Sequence, residues 1–98
     1  MQLQFGDGEL ERLAYETAST ADGWSASLLR RYRRVLQMIG AATGPGDLEA
    51  LMSLRVRSST TRGVRGATLR IDDEHQLRVS YPDTGGTPTA IIEAVQQH

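Results

Sequence analysis

Eleven arginines and no lysine supply the fixed positive charge of this 98-residue chain, and four of them, Arg55, Arg57, Arg70 and Arg78, occupy the polar positions of alternating polar and apolar runs. A guanidinium is a planar fork of donors that matches phosphate and carboxylate oxygens. Four such groups on one surface would hold a polyanion or an acidic partner. His98 ends the sequence and carries imidazole, the side chain that ionises nearest neutrality, so it is a candidate for proton transfer. His75 stands at an expected turn and is read as a solvent-facing turn residue. Two histidines at this separation make no metal motif, and the absence of cysteine removes a CxxC zinc site, a thiol nucleophile and a disulfide framework. No metal and no cofactor is expected.

The elements that must position these arginines follow from the apolar spacing. Leu3 and Phe5 alternate with polar neighbours and predict a short strand over Gln2–Phe5. Asp7 can cap a helix from about Gly8 to Ala21, with Leu10, Leu13, Ala14 and Thr17 on one face. After Asp22-Gly23, Ser25 or Ser27 caps a second helix whose stripe is Leu28, Tyr32, Val35, Leu36 and Ile39, with Trp24 packing at its start. Its other side carries Arg30, Arg31, Arg33 and Arg34. Gly40 and the turn Gly44-Pro45-Gly46 should end it, and Asp47 can cap a single helical turn through Leu51.

The period then changes from 3.6 to 2. Met52, Leu54 and Val56 predict one strand, Ala67, Leu69 and Ile71 a second, Leu77, Val79 and Tyr81 a third, and Thr89–Val95 a last. Residues 58–66, which include Arg62 and Arg65, read as a mobile loop, and Asp73-Glu74 as a hairpin turn. The expected fold is α+β, with an N-terminal strand and two helices on one face of a mostly antiparallel four- to five-stranded sheet. No layer covers the other face, where Arg55, Arg57, Arg70 and Arg78 would lie.

Composition bounds the function. The net charge of -1 conceals a division: residues 1–24 sum to -4, residues 25–80 to +5 and residues 81–98 to -2. Exclusive use of arginine is read first as codon bias in a GC-rich genome. One core and one domain, 1–98, fit this length. No run approaches the ~20 apolar residues of a membrane span, and the start lacks the basic and apolar regions of a signal peptide. A soluble cytoplasmic protein is expected.

Several segments carry a family likeness: the helix end Ile39-Gly40-Ala41-Ala42-Thr43 followed by Gly46-Asp47-Leu48, the strand Thr68-Leu69-Arg70-Ile71-Asp72-Asp73, and the ending Ile92-Glu93-Ala94-Val95-Gln96-Gln97-His98. In this pattern and order, over nearly its whole length, the chain resembles the RelE/ParE superfamily of toxins from bacterial toxin–antitoxin systems, and most closely the HigB branch of plasmid-maintenance killer proteins. The resemblance implies a RelE-like, microbial-ribonuclease-like fold and a ribosome-dependent mRNA endonuclease. Attack of a ribose 2′-hydroxyl on the adjacent phosphate, without metal, would be the reaction, and a cognate antitoxin, in such pairs often of helix-turn-helix type, would neutralise it. Arg70 matches the family's strand arginine and His98 its terminal histidine, with Arg78 supplying a second cation.

Arg55, Arg57, Arg62 and Arg65 would then hold flanking RNA, and Arg30, Arg31 and Arg34 would meet rRNA or a partner. Thr60, Gln76 and Gln97 stand where the family has lysine, arginine and tyrosine. Two other readings therefore stay open: a toxin fold that has lost catalysis and only binds a partner, and a gyrase inhibitor of the ParE branch, against which the terminal histidine argues.

Overall fold

The computed structural model describes residues 1–15, 24–52, 56–82 and 85–97. The chain order is β1 (Gln2–Phe5), α1 (Gly8–Tyr15), α2 (Ala26–Ala41), α3 (Pro45–Met52), β2 (Val56–Thr61), β3 (Val64–Arg70), β4 (His75–Tyr81) and β5 (Thr89–Gln97). The fold is α+β. Its five strands form one mixed sheet in the order β1-β5-β4-β3-β2, in which β1 runs parallel to β5 and the other three pairings are antiparallel.

Asp7 Oδ1 accepts the Glu9 amide at 2.8 Å at the start of α1. The predicted extension of that helix to Ala21 lies outside the described residues beyond Tyr15. Ser25, not Ser27, caps α2: its hydroxyl accepts the Leu28 amide at 3.0 Å. Gly40 does not stop this helix, which runs through it to Ala41. One glycine costs a helix only about 1 kcal/mol, and a Cβ at Gly40 would meet nothing nearer than Leu3 Cδ1, 4.0 Å away. The Met1 amino nitrogen donates to the carbonyls of Gly40 and Ala42, joining the start of β1 to the end of α2.

Two expectations in the middle of the chain are corrected. Pro45 is the first residue of α3 rather than part of a turn before it, a position where its missing N–H and fixed φ are harmless. The helix then continues to Met52, so Met52 belongs to α3 and the following strand begins at Val56. Residues 58–66 are not a loop: Ser58–Thr61 and Val64–Gly66 are paired strand, joined by the two-residue turn Arg62-Gly63. Both turn residues have positive φ, 53° and 80°, the backbone twist that tight hairpins favour.

One core holds the elements together. Leu28, Tyr32, Val35, Leu36 and Ile39 of α2 pack with Leu10 and Leu13 of α1, Leu48 of α3, and Ala67, Leu69, Leu77, Val79, Tyr81, Ala90 and Ile92 of the sheet. Burying each large aliphatic side chain contributes about 1.5–3 kcal/mol. The Tyr32 hydroxyl donates to the Leu10 carbonyl at 2.8 Å and Arg33 Nε to the Leu13 carbonyl at 2.9 Å, so α2 clamps the end of α1. Trp24 meets the Tyr32 ring edge-on at 5.2 Å, as its place at the helix start predicts. Among the described residues no helix is long and apolar enough to cross a membrane.

Gly66 of β3 pairs with Ser80 of β4 and leaves no room for a side chain. A Cβ there would stand 2.7 Å from the Val79 carbonyl oxygen, which is backbone and cannot swing aside. Gly66→Ala therefore forces the strands apart, at about 1–3 kcal/mol. Thermal unfolding followed by circular dichroism should show a midpoint lowered by roughly 5–15 °C.

Candidate functional site

Strand alternation divides the sheet into a face packed on the helices and an open face. Cross-strand pairing lines up Arg57, Thr68, Arg78 and Ala94 in one row of the open face, and Arg70, Gln76 and Gln96 in the next. Gly66 and Thr89 are buried on this face, whereas Arg57, Arg70 and Arg78 are exposed. Arg57 and Arg78 are two strands apart, about 10 Å at the backbone. Neither makes a hydrogen bond or ion pair with any described residue. Arg55 and His98 lie outside the described residues.

Arg70 is engaged by its own turn. Its guanidinium donates to Asp73 Oδ1 at 2.5 Å and, through Nε, to the Asp72 carbonyl at 3.3 Å. The Arg70 and Asp73 side chains are 53% and 94% exposed, and such a surface pair contributes only about 0–1 kcal/mol. A phosphate could displace Asp73 readily. Arg31 of α2 reaches the same place, lining a hollow of about 230 Å³ with Arg70, Ile71, Asp72 and Asp73.

The other arginines are dispersed. Arg62 occupies the hairpin tip in the left-handed region. Arg65, one residue before Gly66, stands on the helix-packed side, where it pairs with Glu49 of α3 at 3.4 Å; the Ser58 hydroxyl donates to the same carboxylate at 2.5 Å. Next to Arg65 in the pairing is Tyr81, whose hydroxyl is buried without a hydrogen-bond partner among the described residues. Burial first, and then Glu49, push this phenol up to about 12, against the opposing pull of Arg65. Arg30 and Arg34 line a separate open hollow of about 500 Å³ along α2. The structure thus groups Arg57, Arg70 and Arg78, brings Arg31 beside Arg70, and leaves Arg30, Arg34, Arg62 and Arg65 elsewhere.

His75 is not turned to solvent. It is the first residue of β4, its side chain 22% exposed, with Nδ1 3.0 Å from Asp72 Oδ1. That oxygen also accepts the amides of Glu74 and His75 at 2.8 and 2.7 Å. Burial raises the Asp72 carboxyl, but these amide bonds and the His75 ring outweigh it and hold the group below its usual value.

One charged side chain of the open face was not singled out by the arginine pattern. Pairing shifts between Arg78 and Val79, so that Val79 faces Ile92 while Arg78 faces Ala94, and Glu93 is the extra residue of a β-bulge. Its Oε1 accepts the Ser80 hydroxyl at 2.7 Å. A lone acid inside an apolar strand, Ile91-Ile92-Glu93-Ala94-Val95, is the sequence signal that could have marked it. Among the described residues no three His, Cys, Asp or Glu side chains are grouped to hold a metal ion.

Comparison with protein-family models, with curated proteins and with solved structures gives no match to this chain.

Two outcomes follow from the turn. Because the Asp72 carboxyl is lowered in the folded state, its contribution is complete above the ordinary carboxylate range and is lost as pH falls through its depressed value. Asp72→Ala should lower the thermal midpoint at pH 7 and flatten the acid limb of the midpoint measured from pH 7 to pH 2. Asp73→Ala should release Arg70. Affinity for a fluorescently labelled polyphosphate at low salt, read by anisotropy, should rise about two- to fivefold, the scale of an exposed ion pair, and Arg70→Ala in that background should remove the gain.

Proposed function

We propose that this protein is the toxin of a bacterial toxin–antitoxin pair with a RelE-like fold, a ribosome-dependent mRNA endonuclease held inactive by a cognate antitoxin over its open sheet face. The observation that carries the reading is that face itself, with Arg57 and Arg78 exposed and free of any partner among the described residues, and Arg70 beside them on a displaceable one. The sequence pattern supports it by its order of strand, helices and four-stranded meander.

The chemistry asks for fixed cations around a phosphate whose oxygens gain charge as the 2′-hydroxyl attacks. Arg70 and Arg78, on neighbouring strands and one row apart, are suited to grip that phosphate, and Arg57 to hold the adjoining one. Arg55 and His98 keep the roles that the resemblance implies, flanking RNA contact and proton transfer. The partner that blocks this face would be acidic where it meets the three arginines.

The reading without catalysis has its own support. Thr60 lies opposite Arg65 and Gln97 opposite His75, both on the helix-packed side, and Gln76 lies opposite Arg70. Glutamine and threonine neither carry charge nor ionise near neutral pH, and loss of a general acid or base typically lowers the rate about 10²–10⁴-fold.

Purified protein added to programmed ribosomes, beside an established toxin and beside free mRNA, separates the readings. Cuts within the A-site codon that fall at least about 10²-fold with Arg70→Ala are expected. An intact message while the control toxin cuts would overturn the nuclease and leave a partner-binding toxin fold, and DNA breaks in a parallel reaction with gyrase and plasmid would favour gyrase as the target.

A further inference from the structure

Among the described strand residues of the open face Glu93 is the one acid, and its position is built rather than incidental. The bulge at Arg78/Val79 inserts it into β5. The Ser80 hydroxyl fixes Oε1 at 2.7 Å, and Ser80 is two residues from Arg78 on the same face of β4. The second oxygen, Oε2, has no hydrogen-bond partner among the described residues. It lies beside Gly6, where a Cβ would stand 3.4 Å from it, so the missing side chain leaves the carboxylate uncrowded. Glu93 is half-buried, which restricts the directions from which a ligand can approach.

A carboxylate only accepts hydrogen bonds. Next to Arg78 it repels phosphate and weakens the hold of the face on any polyanion, unless the ligand brings a donor to the same place. RNA brings one at every nucleotide and DNA does not: the ribose 2′-hydroxyl. Arg78 pairs with Ala94, the residue after Glu93, so the two stand on adjacent strands, which lie about 4.8 Å apart. Their charged ends can meet the 2′-hydroxyl and the 3′-phosphate of one nucleotide together.

We infer that Glu93 is the specificity residue of the open face, accepting a ribose 2′-hydroxyl through Oε2 and so distinguishing RNA from DNA. This rests on the reading of that face as an RNA-binding surface, and it adds to it the group that recognises the sugar. The competing account makes Glu93 a counter-charge that tempers the arginines and reads nothing.

The two accounts differ in a binding ratio. Full-length protein would be titrated with ten-nucleotide oligo(U) and oligo(dU), alike except for the 2′-hydroxyls, by fluorescence anisotropy at low salt. Wild type should favour oligo(U) about tenfold or more, the worth of one charge-assisted hydrogen bond. Glu93→Ala should tighten oligo(dU) and bring the ratio near one. Ser80→Ala, which keeps the charge but frees the carboxylate, should lower the ratio without tightening oligo(dU), and circular dichroism would show that each variant is folded.

Arg78→Ala should weaken both ligands alike. A wild-type ratio near one, or a Glu93→Ala variant that tightens both ligands equally, would overturn the role of Glu93 and leave the basic face standing. Failure of wild type to bind either oligonucleotide would overturn the RNA-binding face itself, and the inference with it.

Discussion

The antiparallel register of β3 and β4 is the constraint on which the rest depends. With Leu69 opposite Leu77 and Ala67 opposite Val79, the apolar side chains of both strands turn toward α2, and Thr68 opposite Arg78 turns the other way. A slip of one residue would carry the arginines into the core and the leucines into water. Gly66 permits that register by letting the strands close where any Cβ would strike the Val79 carbonyl. The turn that follows keeps it, since Asp72 gathers two amides and the His75 ring around one carboxylate. Packing and charge placement are one decision here, because alternation ties every buried leucine of these strands to the polar neighbours beside it.

Much of this was legible in the sequence wherever side-chain periodicity carried the information. The stripe of α2, a serine cap at either Ser25 or Ser27, the Asp73-Glu74 hairpin and the four-strand meander all follow from spacing. Periodicity misled where two periods coexist: Leu48, Leu51 and Met52 satisfy a helix as well as Met52, Leu54 and Val56 satisfy a strand, and α3 takes Met52. It was silent over Ser58–Gly66, where β2 is set by pairing along β3 and by a turn whose key property is positive φ at Arg62 and Gly63.

The candidate site shows the same boundary. Arg57, Arg70 and Arg78 share a face because alternation demands it. Their partners could not be read the same way. Whether Arg70 meets Asp73, or Arg65 meets Glu49 across to α3, depends on turn shape and on how a helix docks, and neither is written in strand spacing. Glu93 was the hardest to see, since a bulge reverses the alternation that located the others. What the arginines present is therefore graded: two guanidinium groups unengaged by any described residue, and a third held by a contact weak enough for a phosphate to displace.

The parallel pairing of β1 with β5 has a temporal meaning. Gln2 pairs with Thr89 and Phe5 with Ile92, eighty-seven positions further along the chain, whereas the meander from β2 to β5 joins neighbours. Contacts of such different sequence separation differ in loop-closure entropy and in when they can form. On a translating ribosome, β1 emerges first and has no partner strand until β5 has followed it out of the exit tunnel. Until then Leu3 and Phe5 lack the sheet edge beside which they lie, and the Glu93 carboxylate is not in place beside Ser80. The open face is thus complete only once the last strand of the domain has left the tunnel, and a nascent chain whose β5 is still inside cannot present Glu93 next to β4.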